Sequence, residues 1–284
     1  MRELSEIRDE IDKIDAEIVR LFEKRMDLTT DVASYKIKVG KPVFDQERER
    51  AKISSVQSLT HSDITAQGVK ELFEHIMFIS RTNQYQLLTQ SDPSNYSIFD
   101  ALPSVSLKNI PVYVKRGLET LATDIYPEIN QLQIIETEEN LLDILEQNEH
   151  AFGLYEIPAD DAVFSCYNQI ANHNLCIVQC HYMDHLRKKR VVLLSARKLT
   201  LEGAKQITLC FEASHECGSL YHLLLHLIYN RINLNRIGSM ICSDNPKKYR
   251  FFIDMEGDES ESSVQNAILG LKGEAQNFSI LGIY

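Results

Sequence analysis

Apolar residues stand at Leu4, Ile7, Ile11, Ile14, Ile18, Leu21, Leu28 and Val32, and their spacing fixes most of what the first forty residues can be. Steps of three and four put all of them on one face of a single long helix. The position due on that stripe after Leu21 is 25, and it is Arg25. Lys36 follows 11 residues later. That is a rotation of roughly 1100° at about 100° per residue, so both cations lie on nearly the same face. Buried charge is costly unless it is paired. Cations on an apolar face therefore point to an anionic guest, with long stems able to lean together around it. Arg8 lies 17 residues before Arg25, roughly 25 Å along the helix axis. It cannot serve the same pocket from the same helix, so a functional Arg8 implies a second copy and an intertwined dimer. The competing reading makes Arg8, Lys36 and Arg48 solvated surface charges, with Arg25 snorkelling from the end of the stripe.

The following residues favour a site. Gly40-Lys41-Pro42 ends the helix, since Gly past a C-terminus and Pro beyond it cannot continue it. Val43-Phe44-Asp45 then leads into Gln46-Glu47-Arg48-Glu49-Arg50, with Asp45 placed as an N-cap. A third helix carries Val69, Leu72, Phe73, Ile76 and Ile79, and on it Ser80 and Gln84 form an i, i+4 pair on one face. A formal net charge of −11 disfavours nucleic acid as a partner. It also means that an anionic substrate needs a locally basic pocket, which the arginines and Lys36 supply.

Hydrophobic residues make up 44% of the chain, but no unbroken apolar run is long enough to span a bilayer, so no membrane association is expected. The first residues read as a charged amphipathic helix without a signal-peptide pattern. The six cysteines include no C-x-x-C pair, so a zinc site is not expected; reduced thiols acting as small buried hydrophobes are. Together these traits predict a cytoplasmic enzyme, and 284 residues suggest two or three domains.

The matching stretches are Glu6-Ile7-Arg8, Ile14-Asp15, Glu23-Lys24-Arg25, Lys36, Lys41-Pro42-Val43 with Asp45, Arg48-Glu49-Arg50, Ser80 and Gln84. On them, residues 1–90 resemble the all-helical chorismate mutase domain of fused phenylalanine-pathway proteins. The resemblance implies the Claisen rearrangement of chorismate to prephenate, which needs no metal, cofactor or nucleophile. It also implies a domain-entwined homodimer, or higher oligomer, whose sites each borrow one arginine. Arg25 and a partner's Arg8 would clamp the two carboxylates, a task suited to planar guanidinium groups. Ser80 and Arg48 would assist them. Lys36 and Gln84 would face the ether oxygen, and Glu49, with backbone near Asp45, would hold the ring hydroxyl. Lys36, Gln84, Arg25 and Glu49 are the candidate catalytic residues. A neutral Gln84 donates at any pH, so little acid dependence is expected from it.

Residues 91–109 read as a linker by their Pro, Ser and Asn content. Strands are then expected at 112–114, 133–135, 151–155, 176–179 and 191–194, with helices near 117–125, 141–145 and 162–171. That alternation predicts an α/β unit with a largely parallel sheet over 110–200. His150 to Pro158 and Lys189-Arg190-Val191 stand where a prephenate dehydratase keeps its Pro-Ile-Glu-Asn and Thr-Arg-Phe motifs, and neither motif is kept. This stretch resembles a truncated dehydratase lobe, which implies that dehydration is lost.

From 204 to 284 the order strand, helix, strand, strand, helix, strand is that of a ferredoxin-like βαββαβ unit. Gly218-Ser219-Leu220-Tyr221, Asn233-Leu234 and Phe251-Phe252-Ile253-Asp254 resemble the ACT regulatory domain of phenylalanine-pathway dehydratases. That resemblance implies an aromatic amino-acid effector site around Gly218, Ser219, Leu220 and Ser239. The family's Glu-Ser-Arg-Pro motif, however, reads Gly238-Ser239-Met240-Ile241, which leaves open a dimerisation module whose effector site has decayed. The expected whole is a multi-domain α plus α/β chain. The alternatives are a bifunctional mutase and dehydratase, or a non-catalytic regulatory subunit of that pathway.

Overall fold

The computed structural model describes residues 2–91, 99–158, 160–183, 190–242, 245 and 248–284. It divides into two compact units, Met1–Pro93 and Ser94–Tyr284.

The first unit is three helices, α1 (Leu4–Val39), α2 (Gln46–Gln57) and α3 (Asp63–Ser91). Helix α1 stops where Gly40 takes the left-handed conformation at φ 67° and closes its cap onto Lys36 and Ile37 carbonyls. Asp45 caps α2, its side chain accepting from the Arg48 N–H at 3.0 Å. The apolar stripe of α1 is not a core within one chain. Its eight residues from Leu4 to Val32 are 37–60% exposed, and only Thr29 and Ala33 of this helix are buried.

The second unit holds a nine-stranded sheet in the order β3-β2-β4-β6-β5-β11-β8-β10-β9. Its strands are β2 (Val112–Lys115), β3 (Leu132–Ile135), β4 (Phe152–Ile157), β5 (Cys176–Tyr182), β6 (Arg190–Ser195), β8 (Gln206–Ala213), β9 (Leu234–Ile241), β10 (Tyr249–Glu256) and β11 (Gln276–Ile283). The helices are α4 (Glu119–Ile125), α5 (Glu138–Glu146), α6 (Ala162–Asn172), α7 (Ser219–Tyr229) and α8 (Ser262–Glu274).

The sheet corrects the expectation of largely parallel strands. β2 runs parallel to β3 and β4, but β6 is antiparallel to both β4 and β5. The chain from Tyr182 to Arg190 is too short for a crossover helix, so β5 and β6 can only pair as neighbours in a hairpin. A boundary was expected between 200 and 204. Here one sheet runs across it, because β11 pairs with β8 on one side and with β5 on the other.

The 91–109 segment is more than a linker. Residues 92–98 of it lie outside the described residues, but β1 (Asp100–Leu102) pairs in parallel with β7 (Leu199–Leu201). Phe99 and Leu107 are buried. Neither short strand carries a period long enough to announce itself.

Helix α6 packs on the β9 end of this sheet, where Gly238 leaves room for the Phe164 ring. Beneath it lies a buried polar cluster. Tyr167 donates to both Asp254 carboxylate oxygens at 2.9 Å, and Thr208 donates to Oδ1 at 2.8 Å. The Arg190 guanidinium lies 3.5 Å from Asp254 and 5.3 Å from the centre of the Tyr167 ring. Lys189 lies outside the described residues. Of the cysteines, Cys166, Cys176, Cys210 and Cys242 are buried, Cys180 is half-buried and Cys217 is exposed. Among the described residues no helix is long and apolar enough to cross a membrane.

Candidate active site

A cavity of about 540 Å³ opens between the three helices of the first unit. Arg25 and Lys36 reach it from α1, Asp45, Arg48 and Glu49 from the start of α2, and Ser80 and Gln84 from α3. Arg8 does not line it; it is exposed on α1. Lys52 and Arg81 also line the wall, so five cations face two carboxylates there. In a chain of net charge −11 this is a local inversion of sign.

Arg25, Lys36, Ser80 and the Gln84 amide nitrogen are held by their neighbours. Arg25 Nη1 donates to Ser80 Oγ at 2.5 Å, and Ser80 donates in turn to the Ile76 carbonyl at 2.8 Å. Lys36 Nζ donates to the Val43 carbonyl at 2.5 Å, across the Gly40–Pro42 turn. Gln84 Nε2 donates to the Ser80 carbonyl at 3.1 Å, while its Oε1 is buried with no partner among the described residues. Burial lowers the Arg25 pKa, with the Glu49 carboxylate opposing the shift. Lys36 is lowered too, first by burial and then by the Arg48 guanidinium. Both cations are thus held at an energetic disadvantage that an incoming anion would relieve.

Arg81 escaped the sequence reading. Its Nη1 donates to Glu49 Oε2 at 2.5 Å, and its guanidinium stacks over Phe44 and Phe78. A signal was available. Position 81 continues the buried stripe of Met77 and Phe78 by steps of four and three, so its arginine interrupts an apolar face just as Arg25 does.

With five cations against two carboxylates, the pocket suits a small anionic guest. Residues 7–85 match the family model for chorismate mutase type II. A chorismate mutase of Methanocaldococcus jannaschii is 32% identical over 97 residues, which cover 97% of that protein and 34% of this chain. The chain belongs to the chorismate mutase family. It is an isomerase that converts chorismate to prephenate.

Similarity to this mutase extends past the helices. A bifunctional chorismate mutase/prephenate dehydratase of Aquifex aeolicus is 23% identical over an alignment covering 100% of this chain and 98% of that protein. The solved prephenate dehydratase of Arthrobacter aurescens, in complex with L-Phe, matches 60% of this chain and 88% of its own, with TM-score 0.51 and 15% identity. The mutase therefore carries a dehydratase-like α/β fold that follows its helices in the sequence.

A second cavity, of about 300 Å³, lies in that fold at the start of α7. Gly218, Ser219 and Leu220 line it beside Tyr249 and Phe251, and the His215 ring stacks on Tyr249 with centroids 5.6 Å apart. Ser239 is not part of that lining; it lies on the exposed face of edge strand β9. Helix α6 covers the other face of β9, the one onto which Gly238 opens, and local sequence does not reveal which face is covered.

Proposed function

We propose that the mutase binds chorismate between Arg25 of one protomer and Arg8 of the partner subunit, each clamping a carboxylate. Lys36 and Gln84 donate to the ether oxygen, where negative charge grows as the C–O bond breaks. Glu49 and the backbone near Asp45 take the ring hydroxyl, while Ser80 and Arg48 steady the carboxylates. Catalysis then consists of holding a folded, pre-reactive conformer and stabilising developing charge. The observation that carries this is the convergence of Arg25, Lys36, Arg48, Glu49, Ser80 and Gln84 on one cation-rich cavity. The exposed stripe of α1 supports pairing of two copies, since eight large apolar residues at helical spacing need a cover. Arg25→Ala should abolish prephenate formation and leave the dimer intact, because the lost contact belongs to the ligand. Retained activity in that variant refutes the clamp.

The dehydratase-like lobe is assigned a bracing role without dehydration. Arg190, at the position of the family's Thr-Arg-Phe arginine, is buried beneath Tyr167 and committed to Asp254. Phenylpyruvate release from prephenate by the purified chain would overturn this. The βαββαβ segment from β8 to β11 is assigned as an ACT module, its strands in the spatial order β11-β8-β10-β9. Its cavity beside Gly218 is sized for an amino acid with an aromatic side chain, as the L-Phe complex of the Arthrobacter aurescens protein suggests. Calorimetric titration with each aromatic amino acid, followed by mutase assays with and without it, distinguishes an effector site from a decayed one.

A further inference from the structure

Arg81 ties Glu49 to the segment before α2 and to α3. Its guanidinium bonds Glu49 in the first turn of α2 and lies 5.1 Å from the centroid of Phe44, the residue just before the Asp45 cap. It lies 5.6 Å from Phe78 on its own helix, and its side chain is only 8% exposed. Glu49 also feels the charges of Arg25 and Lys36. These are the cations that the pocket reading reserves for substrate. A carboxylate free to swing would move onto them, neutralise them and compete with the substrate's own carboxylates.

We propose that Arg81 is a positioning residue of the mutase reaction, holding the Glu49 carboxylate away from the substrate-binding cations. This rests on the pocket reading above. Its guanidinium suits the task because it stacks on aromatic faces while it bonds, which a lysine ammonium does less well.

A kinetic double-mutant cycle between residues 49 and 81 tests the proposal. Arg81→Met should raise KM about tenfold or more with a smaller change in kcat, the mark of competition for the binding cations. Glu49→Gln removes the wandering charge. In that background Arg81→Met should therefore change kcat/KM by no more than about twofold. Arg81→Lys should fall between wild type and Arg81→Met. A purely structural role would instead lower kcat at unchanged KM and would add to the Glu49→Gln effect. Either result, or an unchanged KM in Arg81→Met, overturns the proposal. Should Arg81→Met not fold, the same cycle with Arg81→Lys decides, with a KM rise of several-fold expected that Glu49→Gln cancels. Arg25→Ala run alongside separates the two levels. Retained activity there sinks the pocket reading and Arg81 with it, whereas lost activity with additive Arg81 effects sinks Arg81 alone.

Discussion

Arg8 lies outside the cavity of its own chain and 17 residues before Arg25 on a continuous helix, so roughly 25 Å of α1 separates the two side-chain origins. If each site takes Arg25 from one protomer and Arg8 from its partner, two dead variants can rescue one another. Arg8→Ala and Arg25→Ala homodimers each have both sites broken. In a heterodimer, one site combines the intact Arg25 of the first variant with the intact Arg8 of the second, and the other site has lost both. Random exchange makes about half the dimers heterodimers with one working site in two, so an equimolar mixture should recover about one quarter of wild-type activity. Each arginine that grips a carboxylate makes charge-assisted hydrogen bonds of about 1.5–3 kcal/mol, so each single variant should lose on the order of 10²-fold or more in kcat/KM. A quarter of wild-type activity is then far above background. The assay is chorismate disappearance after the two variants are co-unfolded and refolded together, compared with the same proteins refolded apart. If the mixture shows only the sum of the separate residual activities, Arg8 does not cross to a partner and the shared-site reasoning fails.

Two further outcomes follow from the geometry. The Lys36 ammonium must be charged to donate, and its pKa is lowered by burial and by Arg48. The rate constant kcat/KM should thus fall as pH rises, ahead of an ordinary lysine near about 10.4. A bound dianion raises that pKa again, so the alkaline limb of kcat should lie at higher pH, and coincident limbs would refute the assignment; no acid limb is expected from the neutral Gln84. Because the unfolded chain holds the Lys36 proton more tightly than the folded one, its contribution to stability should grow, not shrink, as pH rises through the lowered pKa. Gly238→Ala would place a Cβ 2.2 Å from the Phe164 ring. It should cost about 1–3 kcal/mol by thermal denaturation. Phe164→Leu should recover much of that loss in the double variant; a Gly238→Ala protein as stable as wild type would mean α6 does not press on β9.

The first unit was legible because its signals are local. Gly40 and Asp45 mark helix ends by backbone chemistry that acts within four residues. The site was legible because Arg25, Lys36, Ser80 and Gln84 interrupt or flank apolar faces whose period is otherwise unbroken. Arg81 carried a signal of the same kind, an arginine on the face of Met77 and Phe78, but its pairing with Glu49, 32 residues away, leaves no periodic trace. The sheet was legible strand by strand but not in its order. Insertion of β6 between β4 and β5, and of β11 between β5 and β8, is decided by long-range pairing. For Ser239 the sequence showed a strand but not which face of it the neighbouring helices would cover.

The two units answer their buried charges in opposite ways, the contrast that the proposed site and the proposed brace require. Among the described residues of the second unit, two inward charge clusters pair opposite charges and add hydrogen bonds. Arg190 faces Asp254, which also accepts from Tyr167 and Thr208. Glu212 is shared by Arg250 at 3.1 Å, Lys248 at 3.8 Å and Asn277 at 2.8 Å. Such clusters are complete, and a ligand could only disrupt them. In the first unit Arg81 is matched by Glu49, but Arg25 and Lys36 rest on a serine hydroxyl and a backbone carbonyl. A neutral oxygen satisfies the direction of a donor without cancelling its charge. On the proposed reading the field of Arg25 and Lys36, offset only in part by Glu49, stays open to the cavity at a cost in folding energy that an entering anion would recover.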